Sequence, residues 1–198
     1  PKYFLLENVG SMAKKDRDII TELLGVKPIK INSKLMSSQL RNRYYWTNIP
    51  NVTVPKDKGI KLNDILVDGW SDRENARCLL ESESRPLSTP VKMFHRYYST
   101  GFTSLIFKSK QHYLDCVDHY KANFNKLSAK EIDTKLKEQN IKLDVYKGVR
   151  YFYQSELEKL QTVPTNYTEI LNRNESAGLI GDGWTVDVIA HILSFMEF

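Results

Sequence analysis

Residues 3–9, Tyr-Phe-Leu-Leu-Glu-Asn-Val, form a nearly continuous apolar run that finishes in polar residues. Such a run fits a central parallel strand with Glu7 and Asn8 at its carboxyl end, where open α/β sheets bind ligands. Ile19, Ile20, Leu23 and Leu24 then share one helical face, which predicts a helix over 14–24 closed by Gly25. Short strands are expected at 29–31 and 43–49 to complete part of a mixed sheet, before Pro50 and Pro55 break the pattern. After residue 68 the βα alternation is lost. Aromatics, basic residues and turn formers mix up to residue 147, with helices expected near 108–124 and 128–138. The second of these is charged nearly all round and reads as a solvated face. From Gly148 the chain resembles core again. Ser155 with Glu158 predicts a capping box opening a helix through Leu160, then a turn at 164–167 and a last helix over 185–196. The pattern divides the chain into 1–68, a smaller domain at 69–147, and 148–198.

Composition narrows the class. With 198 residues, 41% hydrophobic and 27% charged, the sequence describes a folded globular protein rather than a disordered one. No apolar run approaches the roughly 18 residues of a membrane span, so no membrane partner is expected. The first residues read as core rather than as a basic leader, which predicts no secretory signal. Two cysteines, Cys78 and Cys116, are too few for a disulfide framework and fit a reducing, intracellular compartment. The net charge of +5 favours an anionic partner.

Two elements carry candidate chemistry. One is the polar strand end Glu7-Asn8-Val9; alone, it is what any strand terminus can look like. The other is Gln39-x-Arg41-x-Arg43, followed at once by Tyr44-Tyr45-Trp46. Alternate strand residues point to one face, so Gln39, Arg41 and Arg43 can converge on one site, although a basic edge strand would read the same way. His112, Cys116 and His119 share a helical face, but a zinc site needs a fourth ligand and only distant residues could supply it; no metal is expected.

In this order, Glu7-Asn8-Val9 and the block Arg41-Asn-Arg-Tyr-Tyr-Trp-Thr-Asn-Ile-Pro50 resemble motifs VI and VIII of the cytosine-C5 methyltransferases, the second most like the vertebrate de novo enzymes and many phage and bacterial members. Two further stretches follow in family order. Arg150, Glu156, Leu160-Gln161, Pro164 and Asn166-Tyr167-Thr168 resemble the family segment R-x-L-T-x-x-E…LQ-x-x-P-x-x-Y. Gly181-Asp182-Gly183-Trp184-Thr185-Val186-Asp187-Val188-Ile189 resembles motif X, with Asp182 where most members have Asn. Arg77-Cys78-Leu79-Leu80 resembles a degraded motif IX, with Leu80 where Thr is expected.

The resemblance implies an α/β fold: part of a Rossmann-like, S-adenosylmethionine-dependent methyltransferase sheet, plus a small α+β target-recognition domain at 69–147. It implies a DNA (cytosine-5-)-methyltransferase whose target base is flipped out of double-stranded DNA and read by its edge. Attack of a cysteine thiolate on C6 loads the ring with negative charge. An acid at N3 and the exocyclic amine offsets that charge by sharing a proton. Glu7 matches this acid, Asn8 the group that holds its carboxylate, and Arg43 the donor to O2; Arg41 orders the site or meets phosphate. Gly181, Asp182, Gly183 and Trp184 match the cofactor-binding segment, a helix N-terminus closing over S-adenosylmethionine. Gln39, Lys92, Arg96, Tyr97, Tyr98, Lys108 and Lys110 are the expected DNA contacts, most of them on a groove-facing loop with His95. The family's glycine-rich cofactor loop and Pro-Cys nucleophile precede the Glu-Asn-Val strand and are absent from this sequence. Neither Cys78 nor Cys116 follows a proline. The resemblance therefore calls for an N-terminal methyltransferase half, in the same or a separate chain, and a setting in the cytoplasm or nucleoid of a prokaryote or phage-infected host. A non-catalytic DNA-binding partner and a tRNA-directed relative are the alternatives, and the recognised DNA sequence is not legible.

Overall fold

Residues 1–79, 87, 89–139 and 141–197 are described by a computed structural model; Leu80 of the motif IX-like stretch lies outside them. β1 (Leu5–Val9), β2 (Ile29–Asn32) and β3 (Asn42–Thr47) form one sheet in the order β1-β3-β2. β3 is central and buries Tyr45 and Trp46, one on each face. Both neighbours pair with it antiparallel. This corrects the expectation of a parallel central strand in a mixed sheet. The apolar run misleads because its side chains are not enclosed on both faces: Leu6 and Val9 stand exposed.

α1 (Lys14–Leu24) ends as its sequence predicts, with Gly25 in the left-handed region at φ 66° and its N–H on the carbonyls of Thr21 and Glu22. None of its residues is buried, and Leu23 is 80% exposed. It is fastened to the sheet by polar contacts, chiefly Trp46 Nε1 donating to Thr21 Oγ1 at 3.0 Å. A short helix, α2 (Leu62–Ile65), precedes the middle of the chain.

α3 (Pro90–Thr100) was not legible in the pattern, although it carries its own signals: Pro at its first turn and Gly101 at its C-cap, φ 67°. With α4 (Lys110–Asn123) and α5 (Ala129–Glu138) it encloses an aromatic core around Phe94, whose ring meets Tyr97, Tyr98, Phe107, Tyr120 and Tyr146. α5 is not solvated all round. Ile132 is buried and Leu136 packs on the same core.

α6 (Gln154–Gln161) starts two residues before the expected position, because Glu156, not Glu158, reaches back to the Tyr153 N–H. Glu158 instead accepts the N–H groups of Asn166 and Thr168 and the Thr168 hydroxyl, holding the turn that follows. α7 (Arg173–Asp182) and α8 (Val186–Leu193) complete the chain, the latter shorter at both ends than expected. Val188 and Ile192 of α8 pack on Ile31, Tyr45 and Ile49 of the sheet side. A third cluster, including Leu62, Ile106, Phe152, Leu160 and Ile180, draws on all three sequence segments. Among the described residues no helix is long and apolar enough to cross a membrane.

Burial raises the Cys116 thiol to about 12, with Asp115 adding to the effect; it has no exposed surface and donates to the Val145 carbonyl. Cys78 is half-buried and free. A thiol reagent at neutral pH is therefore expected to titrate one thiol in the folded protein and two in denaturant, because only the thiolate reacts. Two fast thiols in the native protein would contradict this packing.

Candidate active site

In the β1–β3 register Glu7 lies opposite Tyr45 and Val9 opposite Arg43, so Glu7 and Arg43 are diagonal neighbours on one face. Arg43 Nε stands 2.6 Å from Glu7 Oε1, with both side chains about 15% exposed, at 14% and 15%. The contact is ionic without hydrogen-bond alignment, and Oε1 is a buried oxygen with no hydrogen-bond partner among the described residues. Burial first and then the charge of Glu7 push the Tyr45 hydroxyl up to about 12, with Arg41 and Arg43 opposing. It stays a neutral phenol, buried with Ile31, Ile49, Val188 and Ile192.

Glu7, Arg41, Arg43, Cys78, Gly181 and Asp182 line one open concavity of about 390 Å³, within the range of small-ligand sites. Arg41 is 5% exposed and fully engaged: its guanidinium donates to the carbonyls of Gly181 (3.2 Å) and Gly183 (2.8 Å) and to Cys78 Sγ (3.4 Å). A cation there satisfies the orphan carbonyls at the end of α7 and suits the negative end of its dipole. Arg41 is thereby held against the end of α7. Asn8 departs from its expected role, since its side-chain oxygen accepts the Val9 N–H at 2.7 Å instead of holding the Glu7 carboxylate.

Gln39 is another correction. It is fully buried; its amide donates to Leu160 O and Gln161 Oε1, and its oxygen accepts the Leu79 N–H. The alternation argument fails because β3 begins only at Asn42, and the chain turns between Ser37 and Leu40. Gln161, which sequence reasoning placed only in a matching block, is the hub. It accepts from Gln39 and Thr185 and donates to the carbonyls of Ile180 and Gly183, while Thr185 meets Ser33 at 2.7 Å. Gln39→Ala strands several buried groups and is expected to destabilise the fold by about 1–3 kcal/mol, measured by urea denaturation.

The expected DNA contacts separate. Tyr97 is buried in the aromatic core, its hydroxyl bonded to Asp72 and raised by burial, so it faces no groove. Lys92, Arg96 and Tyr98 lie on α3 rather than on a loop. Lys92 pairs with Asp133 at 2.9 Å, Arg96 lines a cavity between α3 and α5, and Tyr98 packs on Phe94 and Tyr120. Lys108 and Lys110 are exposed on either side of Ser109, the N-cap of α4. His112 and Cys116 bond to Val145 O and His119 to the Tyr146 hydroxyl; among the described residues no group of side chains could hold a metal. Cys78 is the site residue the sequence missed. Its place follows from the Gln39–Ala76 bridge between segments far apart in sequence, which leaves no local signal.

No protein-family model matches the sequence. Among solved structures the chain is similar to the Entamoeba histolytica methyltransferase EhMeth, with a TM-score of 0.58 and 15% identity, covering 98% of this chain and 62% of that one. It is similar also to the S. pombe Dnmt2 methyltransferase, with a TM-score of 0.53 and 14% identity, covering 98% of this chain and 66% of that one. The chain has a methyltransferase-like fold. It spans less than two thirds of the length of either relative.

Within this methyltransferase-like fold the residues expected to meet the cofactor sit on two adjoining surfaces. Gly181 and Asp182 border the Glu7–Arg43 concavity, whereas Trp184 lines a smaller, mainly apolar hollow of about 260 Å³ with Leu179, Val163 and Val186. An added Cβ at Gly181 would meet Leu79 at an ordinary 3.8 Å, so no contact within the described chain requires glycine there. The exposed indole fits one face of a nucleoside ring and Asp182 can accept from its polar groups. These residues would cover such a molecule on one side without enclosing it.

Proposed function

We propose that the chain is the base-binding and DNA-recognition half of a DNA (cytosine-5-)-methyltransferase. The observation that carries the reading is the Glu7–Arg43 pair on one face of the sheet, with a buried carboxylate oxygen left without a hydrogen bond at the edge of an open concavity. An extruded cytosine entering there replaces the ion pair. Glu7 shares a proton at N3 and the exocyclic amine while Arg43 donates to O2, so charge developing in the ring is met from two edges. Arg41 does not touch the base; it fixes the α7 end that forms the opposite wall. S-adenosylmethionine supplies the methyl group, and Asp182 and Trp184 are the residues here that would contact it. Residues 69–147 act as the target-recognition part, with Lys108 and Lys110 as phosphate contacts. The nucleophile and the rest of the cofactor site come from an N-terminal methyltransferase half.

The test is to combine the chain with an N-terminal segment carrying a glycine-rich loop and a Pro-Cys pair. Transfer of a labelled methyl group from S-adenosylmethionine to duplex DNA and to tRNA is then compared at matched salt. Transfer to duplex DNA is expected. Transfer to tRNA alone would move the substrate to RNA, and nucleic-acid binding without any transfer would replace the reading with a non-catalytic partner.

A further inference from the structure

A second concavity, of about 570 Å³, shares no lining residue with the Glu7–Arg43 site. One wall is the ring of Tyr153, which is 42% exposed although its position is fixed from three sides. Its N–H donates to Glu156, its hydroxyl donates to Asp68 at 3.3 Å, and the Arg150 guanidinium lies 3.7 Å from the ring centroid. Arg150 is itself locked, bound to Glu156 through two nitrogens and to Asp68 through side chain and carbonyl.

The opposite wall is Lys108, exposed, its side chain without an acidic partner among the described residues. The floor between them is made by two glycines in the left-handed region. At Gly69 (φ 83°) a Cβ would come within 2.5 Å of Phe107 O, and at Gly148 (φ 97°) within 2.3 Å of Lys108 Cε. A side chain at Gly69 would strike the Phe107 backbone, and one at Gly148 would displace the lysine.

We propose that this concavity binds a nucleotide, the base stacked on Tyr153 and the phosphate held by Lys108. A pinned aromatic ring loses little freedom when a base stacks on it, and the guanidinium behind it keeps the ring in place. Asp68, at the rim, can accept from an exocyclic amine. The nucleotide is either an unstacked residue of a nucleic-acid strand beside the target or a free mononucleotide; both present the same ring and phosphate.

The experiment measures binding of thymidine 5′-monophosphate, thymidine and a short single-stranded oligothymidylate to the whole chain, by calorimetry and by NMR shifts near residues 148–153. Tyr153→Ala is expected to weaken binding about tenfold, within the range for loss of one base stack. Tyr153→Phe keeps the ring and should bind like wild type. Lys108→Ala should weaken the phosphate-bearing probes but not thymidine, and lower the salt slope for the oligonucleotide by about 0.7. Binding of the oligonucleotide alone assigns the site to a strand, and binding of the monophosphate assigns it to free nucleotide as well. No binding of any probe, or Tyr153→Ala and Lys108→Ala variants that bind within twofold of wild type, overturns the proposal. Shifts near residues 148–153 report this concavity and methyl transfer reports the Glu7–Arg43 site, so failure here is distinguishable from failure of the base-binding reading.

Discussion

Glu7→Gln, in the chain completed by its N-terminal half, is expected to lower methyl transfer by about 10²–10⁴-fold, the usual contribution of a positioned acid–base group. The amide keeps the shape of the side chain and can still hydrogen-bond to a base, but it cannot share a proton with N3. Arg43→Ala should cost about 10²–10³-fold, because it removes the donor to O2 and leaves the Glu7 carboxylate, 15% exposed, without its cation. Duplex affinity should change little in either variant, since neither group lies on the basic surface around Ser109. Single-turnover transfer to duplex DNA, with binding measured in parallel, checks both. Turnover at the wild-type rate would contradict the role assigned to the pair.

The largest structural effect is expected at Arg150. Glu156 has no exposed side-chain surface, and Arg150 meets it through two nitrogens at 2.8 and 2.9 Å. Among the described residues, only the N–H groups of Val67 and Tyr153 would remain to the carboxylate after Arg150→Ala. Removing one partner of a buried pair strands a charge, and a loss of about 3–5 kcal/mol is expected in urea denaturation of the chain. Adding Glu156→Gln to that variant should recover part of the loss, because the stranded charge disappears, while the amide keeps one acceptor oxygen for the two N–H groups of Val67 and Tyr153. A loss below about 1 kcal/mol would place the pair among ordinary surface ion pairs.

What was legible in the sequence was local or carried by strict alternation. The helix over 14–24 and its glycine cap follow from a 3.6-residue period and one left-handed residue. The meeting of Glu7 and Arg43 was expected from the resemblance alone, and it depends on a strand register that no local pattern sets. The alternation argument failed at Gln39, because it assumes an unbroken strand. Nothing local distinguishes a glutamine aimed at solvent from one buried among Leu79, Leu160 and Gln161. α3 was hidden by its composition. Its basic and aromatic residues looked like a contact surface, yet Val91, Phe94 and Tyr97 recur at helical spacing and are core. Strand direction was not legible either. An apolar run reports how much surface is covered, not which neighbour covers it, and β1 is exposed at Leu6 and Val9 on a fold whose relatives extend well beyond this chain.

The whole account depends on a pyrimidine taking the place of the contact between an acid and a guanidinium on neighbouring antiparallel strands. A crystal structure of the completed enzyme on duplex DNA with one target cytosine tests this most directly. The account predicts the extruded base between the two side chains, with Glu7 at N3 and the exocyclic amine and Arg43 at O2. A cytosine seated elsewhere while Glu7 and Arg43 remain paired would contradict it.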